Sequence, residues 1–227
     1  MQKTAKTLHV SPDILKVFLA PRKNDAKLCA IIIAEDDHTM KLKFNSPLIL
    51  GFALVSLAAM AANIATGGAS NRLLFMTYHS SLTNPLTYLR FFTHALGHSG
   101  WQHYIGNMSY ILLLGPMLEE KHGAKRLLLV ICITALATGL INYIFFPTVA
   151  LCGASGVVFA FILMTSFTNF KDGEIPVTFI LVAAIYIGQQ VYQGIFVEDN
   201  ISQMAHIIGG IVGAIAGYIL GRKKHRG

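Results

Sequence analysis

The sequence predicts an all-α membrane protein in which six helices cross the bilayer. Of its 227 residues, 54% are hydrophobic and only 13% are charged, a composition typical of chains that cross a membrane several times rather than of soluble domains. The apolar residues are gathered into long stretches, and the Lys and Arg residues flank those stretches asymmetrically. These three observations together predict the fold class.

Six apolar stretches approach the length of about 20 residues that a bilayer-spanning helix requires. They cover residues 48–66, 103–118, 127–146, 153–170, 175–193 and 203–221. The second and the fourth are the shortest, and we expect the preceding "FPTVALCG" to place the start of the fourth helix below the outer membrane surface. Irregular backbone at that depth needs protein or a water-filled cavity around it. We therefore expect an outward-facing pocket among the second, fourth and sixth helices.

The basic residues fall on one side when the predicted loops are assigned to alternate faces of the membrane. Of the 18 Lys and Arg residues, only Arg72 and Arg90 lie on the outer side. Cytoplasmic loops are enriched in Lys and Arg, so we expect both termini in the cytoplasm. This topology accounts for the net charge of +7. No basic stripe with interleaved aromatic residues lies outside these flanks, so no nucleic-acid partner is expected.

The chain divides into three predicted parts. Residues 1–47 form a small cytoplasmic segment, residues 48–222 the membrane domain, and residues 223–227 a basic cytoplasmic tail. In the first part, "SPDILKVFLAP" is typical of a short helix and "KLCAIIIAEDDHTMKLKF" of two strands. Between the first and second spans, an apolar loop of about 30 residues is expected to lie in the membrane interface.

A serine flanked by glycines begins the fourth apolar stretch. In "LCGASGVVFAF", Gly153 and Gly156 remove side chains on both sides of Ser155. A serine at a helix start lies beside free backbone N–H groups, which suit a developing oxyanion. The alternative interpretation is that these small residues only serve helix packing in the membrane.

The sixth stretch, "MAHIIGGIVGAIAGYILG", contains His206, its one residue that titrates near neutral pH. An ionisable residue inside a membrane segment indicates function by default, although a histidine that only makes helix contacts is the alternative. A row of glycines at every fourth position follows it: Gly209, Gly213, Gly217 and Gly221. Such a row predicts close contact with another helix, and the fourth helix is the natural partner. Ser155 and His206 would then be a nucleophile and a general base, without an acidic third member.

A third group of polar residues, "HALGHSGWQHYIGN" at 94–107, contains His94, His98, His103 and Asn107. Histidines at these spacings are one pattern of a zinc site. A zinc protease would also be expected to contain His-Glu-x-x-His, which the sequence lacks. A metal ion is therefore not expected.

Four motifs in order, "HALGHSGWQHYIGN", "GPMLEEKHG", "GASG" and "AHIIGGIVG", resemble those of the rhomboid intramembrane serine proteases, over residues 48–221. The resemblance implies a six-helix rhomboid-like bundle that cleaves transmembrane proteins within or next to their membrane helices and needs no cofactor. Ser155 would be the nucleophile and His206 the base. The oxyanion would be stabilised by His103 and Asn107, which share one helix face, with the backbone at Ser155 and Gly153. Supporting residues would be His94, His98, Arg90, Glu119, Phe159, Gly156, Gly209 and Gly213.

The sequence departs from the family pattern at Phe159, where many rhomboids have a tyrosine that packs on the base histidine. A phenyl ring can still stack on an imidazole. Cys152 is a rival nucleophile, but an apolar setting would keep its thiol inert.

Two other functions remain as alternatives. One is a non-catalytic rhomboid-like protein that binds membrane helices, and the other is a transporter or metal-handling protein that uses the histidines. For the protease, we expect substrates to enter from the lipid past the fifth helix and "GIFVEDNISQ". The expected location is a bacterial inner membrane, and the oligomeric state is open.

Overall fold

The structure is a computed structural model that describes residues 45–167, residues 200–222, and six single helical residues between 177 and 188. It contains these helices: α1 Pro47–Ala65, α2 Pro85–Thr93, α3 Trp101–His122, α4 Ala124–Phe145, α5 Ser155–Phe167 and α6 Asn200–Arg222. A π-helical turn, Asn71–Phe75, lies between α1 and α2. Within these residues there is no β-strand, and the one strand-like pairing is an isolated bridge between Thr77 and Leu151. The predicted all-α class is confirmed.

Five of the six predicted spans correspond to described helices, α1, α3, α4, α5 and α6. Among the described residues, three stretches are long and apolar enough to cross a membrane: Pro47–Ala65, Ala124–Phe145 and Gln203–Gly221. α3 has 22 residues and is longer than the apolar stretch 103–118, because helical hydrogen bonding continues through the charged residues that follow that stretch. The described part of α5 has 13 residues and begins at Ser155, two residues after the predicted start.

Several predictions fall outside the described residues. They are the helix and strands of the N-terminal segment, the basic tail, and most of the fifth span at 175–193. The count of six membrane helices and the domain boundaries therefore remain predictions.

α5 is the most enclosed helix of the described bundle. Phe161 and Met164 are fully buried, and Val157 is 1% exposed. Large apolar side chains on the outer helices are instead exposed, as with Leu113 at 71% and Phe145 at 68%. Exposed apolar side chains are expected where helices face lipid, because lipid tails are as apolar as the side chains.

The outer loop between α1 and α3 is well structured. The Asn84 side chain accepts a hydrogen bond from the Leu86 N–H at 3.0 Å, and this cap starts α2 at Pro85. α2 directs Phe91 inwards, where it is 4% exposed, whereas Phe92 is 43% exposed. α2 thus provides a folded support for the rest of the outer loop, residues 94–100.

Candidate active site

Ser155 is positioned by the segment 146–154, which connects α4 to α5. Two backbone hydrogen bonds, of 2.9 and 2.8 Å, join Thr77 to Leu151, and the Gly153 N–H donates to the His94 carbonyl at 2.9 Å. The Asn142 side-chain amide of α4 donates to the Val149 carbonyl at 3.1 Å. These bonds attach the segment to the outer loop and to α4, and they fix the point at which α5 begins.

Gly153 brings this segment against α3. Its φ of +133° is a conformation that L side chains rarely adopt. A Cβ at this position would lie 2.6 Å from Cε1 and 2.7 Å from Nε2 of His103. Only glycine therefore allows the backbone beside Ser155 to approach the imidazole edge so closely.

Asn107 lies one turn further along α3 and contributes a second donor to the same place. Its Nδ2 is 3.8 Å from the position of a Cβ on Gly153, and the residue is 7% exposed. Within the described part of the chain, this buried Nδ2 makes no hydrogen bond. Buried amides are nearly always paired in folded proteins, so this N–H group is available to a further partner near residues 146–154, which precede Ser155 and are called the serine loop below.

α6 packs on α5 through the glycine row. A Cβ on Gly209 would lie 2.1 Å from the Gly156 carbonyl oxygen, and one on Gly213 would lie 2.0 Å from that of Ala160. The Ala205 carbonyl oxygen lies 3.4 Å from where a Cβ on Gly156 would be. The sequence neighbours of Ser155 and His206 are therefore in direct contact.

Phe159 lies against His206 although the family tyrosine is absent. The two ring centroids are 4.3 Å apart, with the planes tilted by 42°. The ring packing expected for this position is therefore present, and the tyrosine hydroxyl is the part that the site lacks.

His94 and His98 are buried in the turn between α2 and α3. His94 Nε2 lies 3.0 Å from the Ala135 carbonyl oxygen, and His98 Nδ1 lies 3.1 Å from that of Leu96. A carbonyl only accepts, so each of these ring nitrogens carries the proton. Burial lowers the pKa of His94 to about 4 against the opposing effect of its carbonyl partner, and burial with the nearby His103 lowers the pKa of His98 to about 4. Both imidazoles are neutral at pH 7.

Arg90 and Glu119 each make side-chain hydrogen bonds that connect separate parts of the chain. The Arg90 guanidinium is 2% exposed and donates to the Tyr78 hydroxyl at 2.7 Å and to Ser80 Oγ at 3.0 Å. The Glu119 carboxylate accepts from the Leu48 and Ile49 N–H groups at 3.1 Å each, and from the Ser46 hydroxyl. Arg90 thus fixes the outer loop, and Glu119 caps the start of α1.

Two alternative chemistries, a cysteine nucleophile and a metal site, find little support in the described residues. Burial raises the pKa of the Cys152 thiol, which disfavours the reactive thiolate. Among these residues, no three His, Cys, Asp or Glu side chains are close enough to hold a metal ion.

A shallow crevice lies between α4, α6 and the segment that precedes Ser155. Its lining includes Thr138, Asn142 and Ala205. The predicted pocket among α3, α5 and α6 remains a prediction. Most of the predicted gate lies outside the described residues, and its last four residues, 200–203, belong to α6.

Thr77, Asn142 and Ser99 are site residues that the sequence did not predict. Thr77 and Asn142 bond to backbone atoms, and Ser99 contacts His103. Because these partners are bound through their backbone atoms, they could be residues of any type. No sequence motif therefore reveals such contacts. For Ser99 alone, its position four residues before His103 was a usable signal.

Comparison with known proteins agrees with this geometry. A family model described as the Rhomboid domain matches residues 85–223. Rhomboid-related protein 2 of Mus musculus is 34% identical over 76% of this chain and 64% of its own length. The Rhomboid protease GlpG of Haemophilus influenzae is 30% identical over 57% of this chain and 68% of its own. For the Putative rhomboid protease YdcA of Bacillus subtilis the identity is 28%, over 60% and 69%.

The chain is an integral membrane protein, and it belongs to the rhomboid family. The family match covers more than half of the chain, which confirms the resemblance deduced from the four motifs. The chain spans less than two thirds of the length of the mouse relative. Family membership supports a function of the intramembrane protease type.

Proposed function

We propose that this protein is an intramembrane serine endopeptidase with Ser155 as nucleophile and His206 as general base. The observation that supports it best is the contact of Gly209 and Ala205 with Gly156. This contact brings together the helix that begins at Ser155 and the helix that contains His206.

The proposed reaction uses these groups in two stages. His206 accepts the Ser155 proton while Oγ forms a bond to the scissile carbonyl carbon. The oxyanion that results is stabilised by His103 Nε2–H, Asn107 Nδ2–H and backbone N–H groups at the start of α5. His206 then gives the proton to the leaving amine as the C–N bond breaks. Water, deprotonated by His206, hydrolyses the acyl-enzyme and frees Ser155.

The substrates under this proposal are transmembrane helices that enter laterally from the lipid and unwind near the site. Both termini of the enzyme would face the cytoplasm, supported by the excess of Lys and Arg on that side. The proposed location is the inner membrane of a bacterium. Ser155 would open towards the outer side.

Labelling by a fluorophosphonate tests the nucleophile, because only an activated serine reacts with this probe at a useful rate. We expect detergent-purified wild-type protein to be labelled, and we expect Ser155→Ala and His206→Ala to lose labelling. Ser166→Ala is the matched control on α5, since within the described part of the chain this hydroxyl bonds only to the Ile162 carbonyl, at 3.1 Å. It should be labelled like the wild type.

Two results would contradict the proposal. Labelling that persists in Ser155→Ala would mean that another serine is the nucleophile. A folded wild-type protein that is not labelled would instead favour the non-catalytic protein that binds membrane helices.

A further inference from the structure

The two ring nitrogens of His103 have different surroundings. The edge formed by Cε1 and Nε2 faces Gly153, since these are the atoms nearest to a Cβ at that position, at 2.6 and 2.7 Å. Nδ1, the other ring nitrogen, lies 3.1 Å from Ser99 Oγ. One nitrogen therefore faces the serine loop, and the other contacts a hydroxyl group just before α3 begins.

This difference matters because a neutral imidazole carries one N–H proton. That proton can be on either nitrogen, and the hydrogen bond at the other nitrogen decides which tautomer is favoured. Only the form with the proton on Nε2 can donate towards an oxyanion beside Gly153. The form with the proton on Nδ1 would present a lone pair there and would repel the negative charge.

We propose that Ser99 is a positioning residue that selects the Nε2–H tautomer of His103, and this proposal rests on the proposed oxyanion role of His103. A serine hydroxyl can donate or accept a hydrogen bond. In the proposed arrangement the Ser99 hydroxyl donates to Nδ1, so the ring proton is on Nε2. Because Ser99 acts through His103, it does not itself touch the substrate.

The neighbouring His98 does not compete for this contact. Its ring lies edge-on to that of His103, with the centroids 5.1 Å apart, and its own Nδ1 bonds to the Leu96 carbonyl. Among the described residues, the Ser99 hydroxyl is the one side-chain group shown bonding to a ring nitrogen of His103.

The test combines imidazole ¹⁵N NMR of the full-length protein with the fluorophosphonate labelling rate. The ¹⁵N shifts report which ring nitrogen is protonated, and the His103 signal is identified by its absence in His103→Gln. We expect Ser99→Ala to shift the His103 population towards the Nδ1–H form. We also expect it to slow labelling about tenfold, the equivalent of one net hydrogen bond.

Two further variants serve as controls. Ser99→Thr keeps the hydroxyl and should restore both the tautomer and the labelling rate. Ser109→Ala removes an exposed hydroxyl on α3, the helix of His103, and should change neither. Among the described residues this hydroxyl bonds only to the Ile105 carbonyl, at 2.7 Å.

The outcomes separate this inference from the proposed function. If the wild type is labelled and Ser99→Ala matches it in tautomer and rate, the positioning role is overturned and the protease proposal stands. If the folded wild type is not labelled, the protease proposal fails. The NMR comparison of wild type with Ser99→Ala then still decides whether Ser99 selects the tautomer.

Discussion

At the scale of single residues, Asn107 and Asn142 show two different uses of a buried amide. Asn142 Nδ2 donates to the Val149 carbonyl at 3.1 Å, so its contribution is to the position of the segment before Ser155. Asn107 Nδ2 has no such bond among the described residues. An amide N–H that makes no hydrogen bond within the fold is available to donate one to the transition state.

Asn107→Ala should therefore separate activity from stability. We expect labelling to slow about 10²-fold, because one oxyanion donor is lost, while the melting temperature stays near that of the wild type. The measurements are the fluorophosphonate labelling rate and thermal unfolding in detergent.

Asn142→Ala is the contrasting variant, because it leaves the Val149 carbonyl without its donor. We expect a loss of about 1–3 kcal/mol in stability. An Asn107→Ala protein that unfolds as early as Asn142→Ala while labelling normally would contradict the oxyanion assignment.

At the scale of elements, the site depends on how closely α6 approaches α5. The glycine row allows backbone contact, because the carbonyl oxygens of Gly156 and Ala160 occupy the space where Cβ atoms of α6 would be. Small residues at membrane helix interfaces stabilise pairs through close van der Waals packing. The position of His206 relative to Ser155 is thus set by contacts that begin at their sequence neighbours, Ala205 and Gly156, and continue to Gly213 and Ala160.

Gly213→Ala should disrupt this packing two turns below His206. Its new Cβ would lie 2.0 Å from a backbone oxygen, so the helices must separate. We expect a lower melting temperature and slower labelling. Gly51→Ala on α1 is the control, since nothing lies within 4 Å of its added Cβ. Equal effects of the two substitutions would contradict the role given to the glycine row.

Glu119 joins α3 to the start of α1 at the other end of the bundle. In Glu119→Gln, one carboxylate oxygen becomes an NH₂ donor that cannot accept from α1. We expect this substitution to lower the free energy of unfolding by about 1–3 kcal/mol and to leave the labelling chemistry intact. Glu120→Gln, on the exposed neighbour, should have little effect in the same thermal unfolding measurement. Matching stabilities of the two variants would contradict the capping role.

At the scale of the whole molecule, two buried neutral histidines make the fold sensitive to acid. The pKa of His94 and that of His98 are both lowered to about 4, whereas an unfolded histidine titrates near 6.5. Between these values the unfolded chain binds more protons than the folded one. The stability that comes from keeping these two histidines neutral is therefore fully present above about pH 6.5. It is lost as the pH falls towards 4.

We expect the melting temperature of the wild type to fall steadily between pH 6.5 and 4. Each histidine accounts for about 3 kcal/mol over that range. His98→Gln removes one titrating group, so its melting temperature should depend less steeply on pH, whatever its value at pH 7. Parallel pH profiles for the two proteins would show that His98 does not contribute.

The sequence alone determined the helical membrane class, the family and the candidate residues. Hydropathy depends only on which residues stand in each stretch of the chain. A glycine at every fourth position lies on one face of a helix. Both patterns are therefore visible in the sequence without knowledge of distant contacts. Phe159 was expected beside His206 because of the resemblance to rhomboids, many of which have a tyrosine at this position that packs on the base histidine.

Only the tertiary structure decided how the donors meet the serine loop. The approach of Gly153 to His103, the attachment of Leu151 to Thr77 and the support of Val149 by Asn142 all join residues distant in sequence. Such contacts involve backbone atoms and φ angles, which no residue pattern encodes. The selection of one His103 nitrogen by Ser99 is likewise a matter of ring orientation, which is fixed only when the segment before α5 packs on α3.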